Sequence, residues 1–126
     1  MIHLTEHELD YFARHILAAR RAGLDRIANP DFSRIRWGRL RESVLGQYSH
    51  IRKRITLNIR YRPTPEYLVS TLCHELHHRW QHETMGAKYI LLANFITRDR
   101  YLEGTAREIE RKVDKLLGMD GLRDGD

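Results

Sequence analysis

With 126 residues and a single cysteine, the chain is long enough to bury a core of its own but cannot contain a disulfide framework. Its 22 Lys and Arg against 17 Asp and Glu leave a formal charge of +5 and a pI near 9.7, which favours anionic partners over cationic ones. No stretch has the length of a membrane span and Met1 to Glu6 lack a basic segment followed by an apolar run; a soluble, cytoplasmic protein is expected, with one domain over residues 1–118 and a flexible tail over 119–126.

The first predicted element is a helix from about Thr5 to Ala22. Thr5-Glu6-His7-Glu8 has the form of a capping box, and Leu4 and Leu9 stand at the positions of a hydrophobic staple. Leu9, Phe12, Ala13, Ile16 and Leu17 keep helical spacing until Gly23 stops it. His3, His7 and His15 are expected at its surface.

After the turn signal Asn29-Pro30-Asp31 the pattern becomes strand-like. Ile35, Trp37 and Leu40 suggest one strand and Val44, Leu45 or Tyr48 a second. Arg54 to Tyr61 alternates most clearly, with Ile55, Leu57, Ile59 and Tyr61 on one face and Thr56, Asn58 and Arg60 on the other. A small antiparallel sheet is predicted. Arg34, Arg36, Arg39, Arg41, Arg52, Lys53, Arg54, Arg60 and Arg62 crowd this region, which makes nucleic acid or another acidic molecule a candidate partner.

The next helix carries the chemistry. Thr64-Pro65-Glu66 reads as its start, and Leu68, Val69, Leu72, Leu76 and Trp80 form its apolar side. On the other side lies His74-Glu75-Leu76-His77-His78, a His-Glu-x-x-His motif. Two histidines one turn apart project both imidazoles from the same face, where they can hold one Zn²⁺, and Glu75 stands beside them as candidate general base. His77 points to one side, as a surface histidine or one supporting the site from behind. His82 lies on the metal face, but eight residues of helix span about 12 Å, so it cannot share an ion with His74. Cys73 falls on the core side as a small buried hydrophobe.

The run Arg36-Trp37-Gly38-Arg39-Leu40, then Gly46, Ile55-Thr56-Leu57-Asn58, Leu68 to Leu72, and His74 to Trp80 resembles the SprT-like and minimal gluzincin group of zinc metallopeptidases over roughly residues 34 to 82. The resemblance implies that the strand before the metal helix, Ile55 to Tyr61, is a sheet edge along which extended peptide binds, with Asn58 and Tyr61 touching substrate. SprT-like proteins usually take a third ligand from a downstream histidine; no histidine follows His82 here, so that ligand is sought among carboxylates.

A second apolar segment, Tyr89 to Ile96, is predicted as a buried helix. A last one, about Tyr101 to Leu117, should bury Leu102, Ala106, Ile109, Val113 and Leu116. Glu103, followed by Ala106, resembles the Glu-x-x-Ala of gluzincin-like proteins related to ImmA. Glu110 with Asp114 resembles the alternative gluzincin pattern, in which the Glu binds zinc and the Asp orients a histidine. Glu103 is preferred as ligand because it begins the helix where the chain has just returned, which leaves Glu110 or Asp114 to act from behind.

The expected fold is therefore α+β: N-terminal helix, small antiparallel sheet, metal helix and two further helices, a minimal zincin. The expected activity is hydrolysis of a peptide or protein substrate, with one Zn²⁺ on His74, His78 and Glu103 or Glu110, and Glu75 taking a proton from water. Tyr89, Tyr101 or His77 could serve as oxyanion donor. The alternative is a catalytically weak regulatory or nucleic-acid-binding protein whose zinc is structural and closed by four protein ligands.

Overall fold

The computed structural model of the chain describes residues 2–93 and 98–118, and for 92, 93 and 98–101 the backbone alone. It is an α+β fold. The elements are β1 (Ile2–His3), α1 (Glu6–Arg21), β2 (Ile35–Gly38), β3 (Gly46–Ser49), β4 (Arg54–Asn58), α2 (Val69–Met85), α3 (Ala87–Ala93) and α4 (Arg98–Leu117). No helix among the described residues is long and apolar enough to cross a membrane.

Helix α1 begins as the sequence requires. The Thr5 hydroxyl accepts from the Glu8 N–H and the Glu8 carboxylate accepts from the Thr5 N–H, which closes the capping box. The chain leaves the helix at Gly23 with φ +102°, a conformation that costs a glycine little. Phe12, Ile16 and Ala19 form the buried stripe.

The sheet differs from expectation. Its order is β1-β2-β4-β3, with β1 antiparallel to β2, β2 parallel to β4 and β3 antiparallel to β4, so it is mixed. Strand β4 is central, paired on both sides; it is not the edge assigned to Ile55 to Tyr61. The predicted strand also ends early, because Ile59–Tyr61 turns into a short 3-10 segment. Central placement explains why both faces of β4 are buried, Thr56 and Asn58 as well as Ile55 and Leu57. The edge on this side is β3.

This topology needs the loop 39–45 to carry the chain past the place that β4 later fills. Asn58 fastens the loop: its amide donates to the carbonyls of Arg41 and Val44 at 3.0 and 2.9 Å, with that of Leu40 at 3.3 Å. The Tyr61 hydroxyl donates to the Glu42 carbonyl at 2.8 Å. The Asn58 amide nitrogen and the Tyr61 hydroxyl, from the two residues expected to touch substrate, are therefore engaged by this loop.

Helix α2 starts one turn later than predicted. Pro65–Leu68 forms a 3-10 turn, and the Thr64 hydroxyl donates to the Tyr61 carbonyl instead of capping a helix. Leu68, Val69, Leu72, Cys73 and Leu76 then pack into the core with Phe12, Ile16, Trp37 and Leu57. On α4, Leu102, Ala106, Ile109 and Val113 are buried as expected, while Leu116 is exposed. On α3 only part of the expected burial is found: Tyr89 is buried, Ile90 and Leu91 are exposed, and the remainder of Tyr89 to Ile96 lies outside the described side chains. The predicted tail, 119–126, also lies outside the described residues.

One polar node ties the N-terminal helix to the sheet. The half-buried Glu8 carboxylate accepts from the Trp37 indole at 3.2 Å and from Arg62 at 2.8 and 3.1 Å, while the Arg62 guanidinium lies 5.5 Å from the Trp37 ring centroid. Burial acts to raise the Glu8 pKa, but the bonds from Arg62, Thr5 and Trp37 outweigh it and hold it at about 2, against an ordinary 4.5. A carboxylate depressed on folding stabilises the fold above its unfolded pKa, and that contribution is lost as pH falls from about 4.5 through about 2. Glu8→Ala should cost about 2 kcal/mol at pH 7, given hydrogen bonds to a charged group. Thermal unfolding from pH 7 to pH 2 should show the gap between parent and variant closing below pH 4.5, and a gap that is constant across that range would refute this account.

Candidate metal centre

The exposed edge of β3 faces α2 across a cleft of about 790 Å³. One wall is the segment Ser43 to Ile51; the floor is Thr71, His74, Glu75 and His78; the far wall is Leu102, Glu103, Arg107 and Glu110 of α4, with Tyr89 at one end. Gly46 sets how closely strand and helix approach. A Cβ there would stand 2.7 Å from the Thr71 Cγ2, so only a residue without one fits.

Within the cleft His74, His78 and Glu103 converge, each offering a donor atom within 4.8 Å of the others. Glu103 lies 2.7 Å from the His78 Nε2 through one oxygen and 3.2 Å from the His74 Nε2 through the other. The outer nitrogens are engaged elsewhere. The His74 Nδ1 meets Glu110 at 2.8 Å, and the His78 Nδ1 meets the Gln81 Oε1 at 2.9 Å. Gln81 is itself oriented, because its amide nitrogen donates to the Thr105 hydroxyl at 2.7 Å and to the Leu102 carbonyl at 3.3 Å. With its amide donating there, Gln81 turns its oxygen to His78, so the Nδ1 proton is the one bonded and Nε2 is left for the cleft. The same logic applies to His74 through Glu110.

Electrostatics follow from this packing. The hydrogen bonds from His74 and His78 hold Glu103 well below the usual carboxylate range, against its burial. Burial works against a charged His74, yet the bonds to Glu103 and Glu110 push its pKa up to about 10. Glu75 is buried, with Oε1 3.9 Å from the His74 Nε2 and Oε2 without a hydrogen-bond partner among the described residues. Burial raises its pKa, opposed by the two histidines. Two imidazole nitrogens and one carboxylate oxygen facing a common point, with an unbonded carboxylate oxygen alongside, form a donor set that fits a divalent ion.

Other predicted residues take different places. Asn58 and Tyr61 do not line the cleft. Asp114 is buried further along α4, near enough to Cys73 for its charge to raise the thiol, whose pKa burial drives to about 12. His77 is buried instead of lying at the surface: its Nδ1 meets the Arg26 carbonyl at 2.6 Å, its Nε2 the Thr105 hydroxyl at 3.1 Å, and its ring stacks on Trp80. Of the oxyanion candidates only Tyr89 lines the cleft, since His77 faces away and the Tyr101 side chain lies outside the described residues. His82 meets the Tyr48 hydroxyl at 2.8 Å and stacks on Tyr89.

Gln81 and Thr105 escaped the sequence reading. The available signal for Gln81 was its position three residues after His78, where a helix places it beside that ring. Thr105 had none, because its partners come from another helix. The chain matches no protein-family model, no curated protein and no solved structure.

Proposed function

We propose that the chain is a zinc-dependent metallopeptidase of the SprT-like or minimal gluzincin type. The observation that carries this reading is the convergence of His74, His78 and Glu103 beside Glu75 on the floor of an open cleft bordered by the edge strand β3. Zinc held there would supply Lewis acidity and a water that is acidic near neutral pH. Glu75 takes the proton of the attacking water on its unbonded oxygen and delivers it to the leaving amine. Its buried surroundings favour proton acceptance by raising its pKa. His74 and His78 are held in one tautomer by Glu110 and Gln81. The free edge of β3, which lies at the end of the sheet, offers main-chain groups to an extended peptide passing over the triad.

Purified protein is expected to carry about one zinc per chain by elemental analysis, consistent with one open three-ligand site. His74→Ala combined with His78→Ala should empty it. Glu75→Gln should keep zinc while hydrolysis of casein or a peptide library drops at least about 100-fold. Zinc that persists in the double histidine variant removes the metal assignment. A zinc-loaded parent that cleaves neither probe removes the peptidase and leaves the regulatory alternative.

Calorimetric zinc titration separates the two glutamates. Glu110→Ala should weaken zinc about 10- to 100-fold, the usual effect of losing a partner behind a ligand. Glu103→Ala should weaken it further. The opposite order would make Glu110 the ligand.

We also propose that the outer face of the sheet binds nucleic acid. A groove of about 250 Å³ there is lined by Arg39, Arg52 and Arg54 with Gln47, Ser49 and Thr56, and none of these arginines forms an ion pair among the described residues. Arg60 and Arg62 instead pair with Glu42 and Glu8. Guanidinium forks suit phosphate, and the groove presents no aromatic ring for stacking bases. Fluorescence anisotropy with a DNA duplex should give a log–log salt slope of roughly 3 for three phosphate contacts. Arg39→Glu, Arg52→Glu and Arg54→Glu together should abolish binding; unchanged binding by that variant would discard the groove.

A further inference from the structure

Among the described residues, Arg107 is the only lysine or arginine lining the cleft. It stands on α4 one turn after Glu103 and one turn before Glu110, so all three share a helix face. Either glutamate is spaced to pair with it. Neither does: Glu103 lies between the two histidines and Glu110 on the His74 Nδ1, and Arg107 forms no ion pair among the described residues. An exposed guanidinium thus borders a site in which Glu103 and Glu110 are already engaged by the histidines.

The balance of charge gives this position a meaning. Three carboxyl groups, those of Glu75, Glu103 and Glu110, line the cleft around the two histidines. Apart from a bound ion, Arg107 is the described cationic side chain of the cleft lining that can attract an anionic group on a bound peptide. One helical turn separates Arg107 from Glu103, about 5.4 Å, and an extended peptide advances about 3.4 Å per residue. A carboxylate gripped by Arg107 then belongs to a residue within about two positions of the bond held at the triad.

We propose that Arg107 is a specificity-determining residue that binds a carboxylate of the peptide substrate, either an Asp or Glu side chain or the free C-terminus. This rests on the peptidase reading for its substrate class, and its test is chosen to stand apart from turnover. The zinc-loaded Glu75→Gln chain is mixed with a library of random octapeptides, one half with free and the other with amidated C-termini. Bound peptides are recovered by ultrafiltration and identified by mass spectrometry. The same is done with Arg107→Ala, Arg107→Lys and Arg107→Glu added, after zinc content is checked in each.

Peptides bearing carboxylates should be enriched in the bound set, and Arg107→Ala should lower that enrichment roughly fivefold, the range of a partly exposed ion pair. Arg107→Lys should retain part of it, and Arg107→Glu should turn the preference towards Lys and Arg. Enrichment of acidic residues in the amidated half identifies a side chain; enrichment in the free half alone identifies the C-terminus. A bound set without carboxylate preference, a preference untouched by Arg107→Ala, an equal loss for every peptide, or no binding at all overturns the proposal. Hydrolysis of the same library by the parent reports separately: a carboxylate preference without cleavage would end the peptidase reading and leave this one intact.

Discussion

A helix buried on two sides has nowhere to hide a polar side chain, and α2 is such a helix. Its leucines face the sheet and α1, while its opposite side lies against α4 and the β3 edge. Every polar group on it must be answered from elsewhere or carry a desolvation penalty of about 1–3 kcal/mol. The answers come mostly from α4: Glu103 and Glu110 to His74, Glu103 to His78, and Thr105 to both Gln81 and His77. The packing of α2 on α4 and the assembly of the His74, His78 and Glu103 cluster are thus one requirement. A shift of α4 by one residue would unseat all of these partners together.

The parts that local physics decides could be read from the chain. The capping box of α1, the stop at Gly23, and the two-sided character of the histidine helix depend on neighbours within a few residues. The sheet shows where such reading ends. Alternation in Ile55 to Tyr61 reports a strand but is the same for an edge and a centre, and it places Thr56 and Asn58 on one face without saying what covers them. Their burial comes from the loop 39–45 and from strands on both sides, none of which leaves a periodic trace. The parallel pairing of β2 with β4 likewise depends on that loop passing over an empty place in the sheet. Between the two glutamates the sequence supported a preference for Glu103 but not its geometry, because α4's register against α2 is a tertiary quantity. Gln81 and Thr105 belong to the same blind region.

Strand β3 divides two chemistries. Its free edge borders the acidic, histidine-rich cleft, and its outer face borders the arginine groove, with Gln47 and Ser49 lining both. Only four residues long, it is held by pairing with β4 and by the hydrogen bond from the Asn58 N–H to the Leu45 carbonyl. Asn58 and Tyr61 thereby influence the cleft at a distance, as fasteners of the loop that delivers the chain to β3. Arginines around an open strand oppose association between like molecules.

The absent side chain at Gly46 gives the cleft an aperture that is not adjustable from within. Strand and helix touch there through a backbone and a threonine methyl, so the gap over the triad is set by a rigid contact rather than by a long side chain that could swing aside. Any lineage that gained a methyl at this position would have to open the jaw or trim the threonine. Gly46 and Thr71 therefore behave as a shim, and the thickness of whatever enters the cleft is coupled to their combined volume.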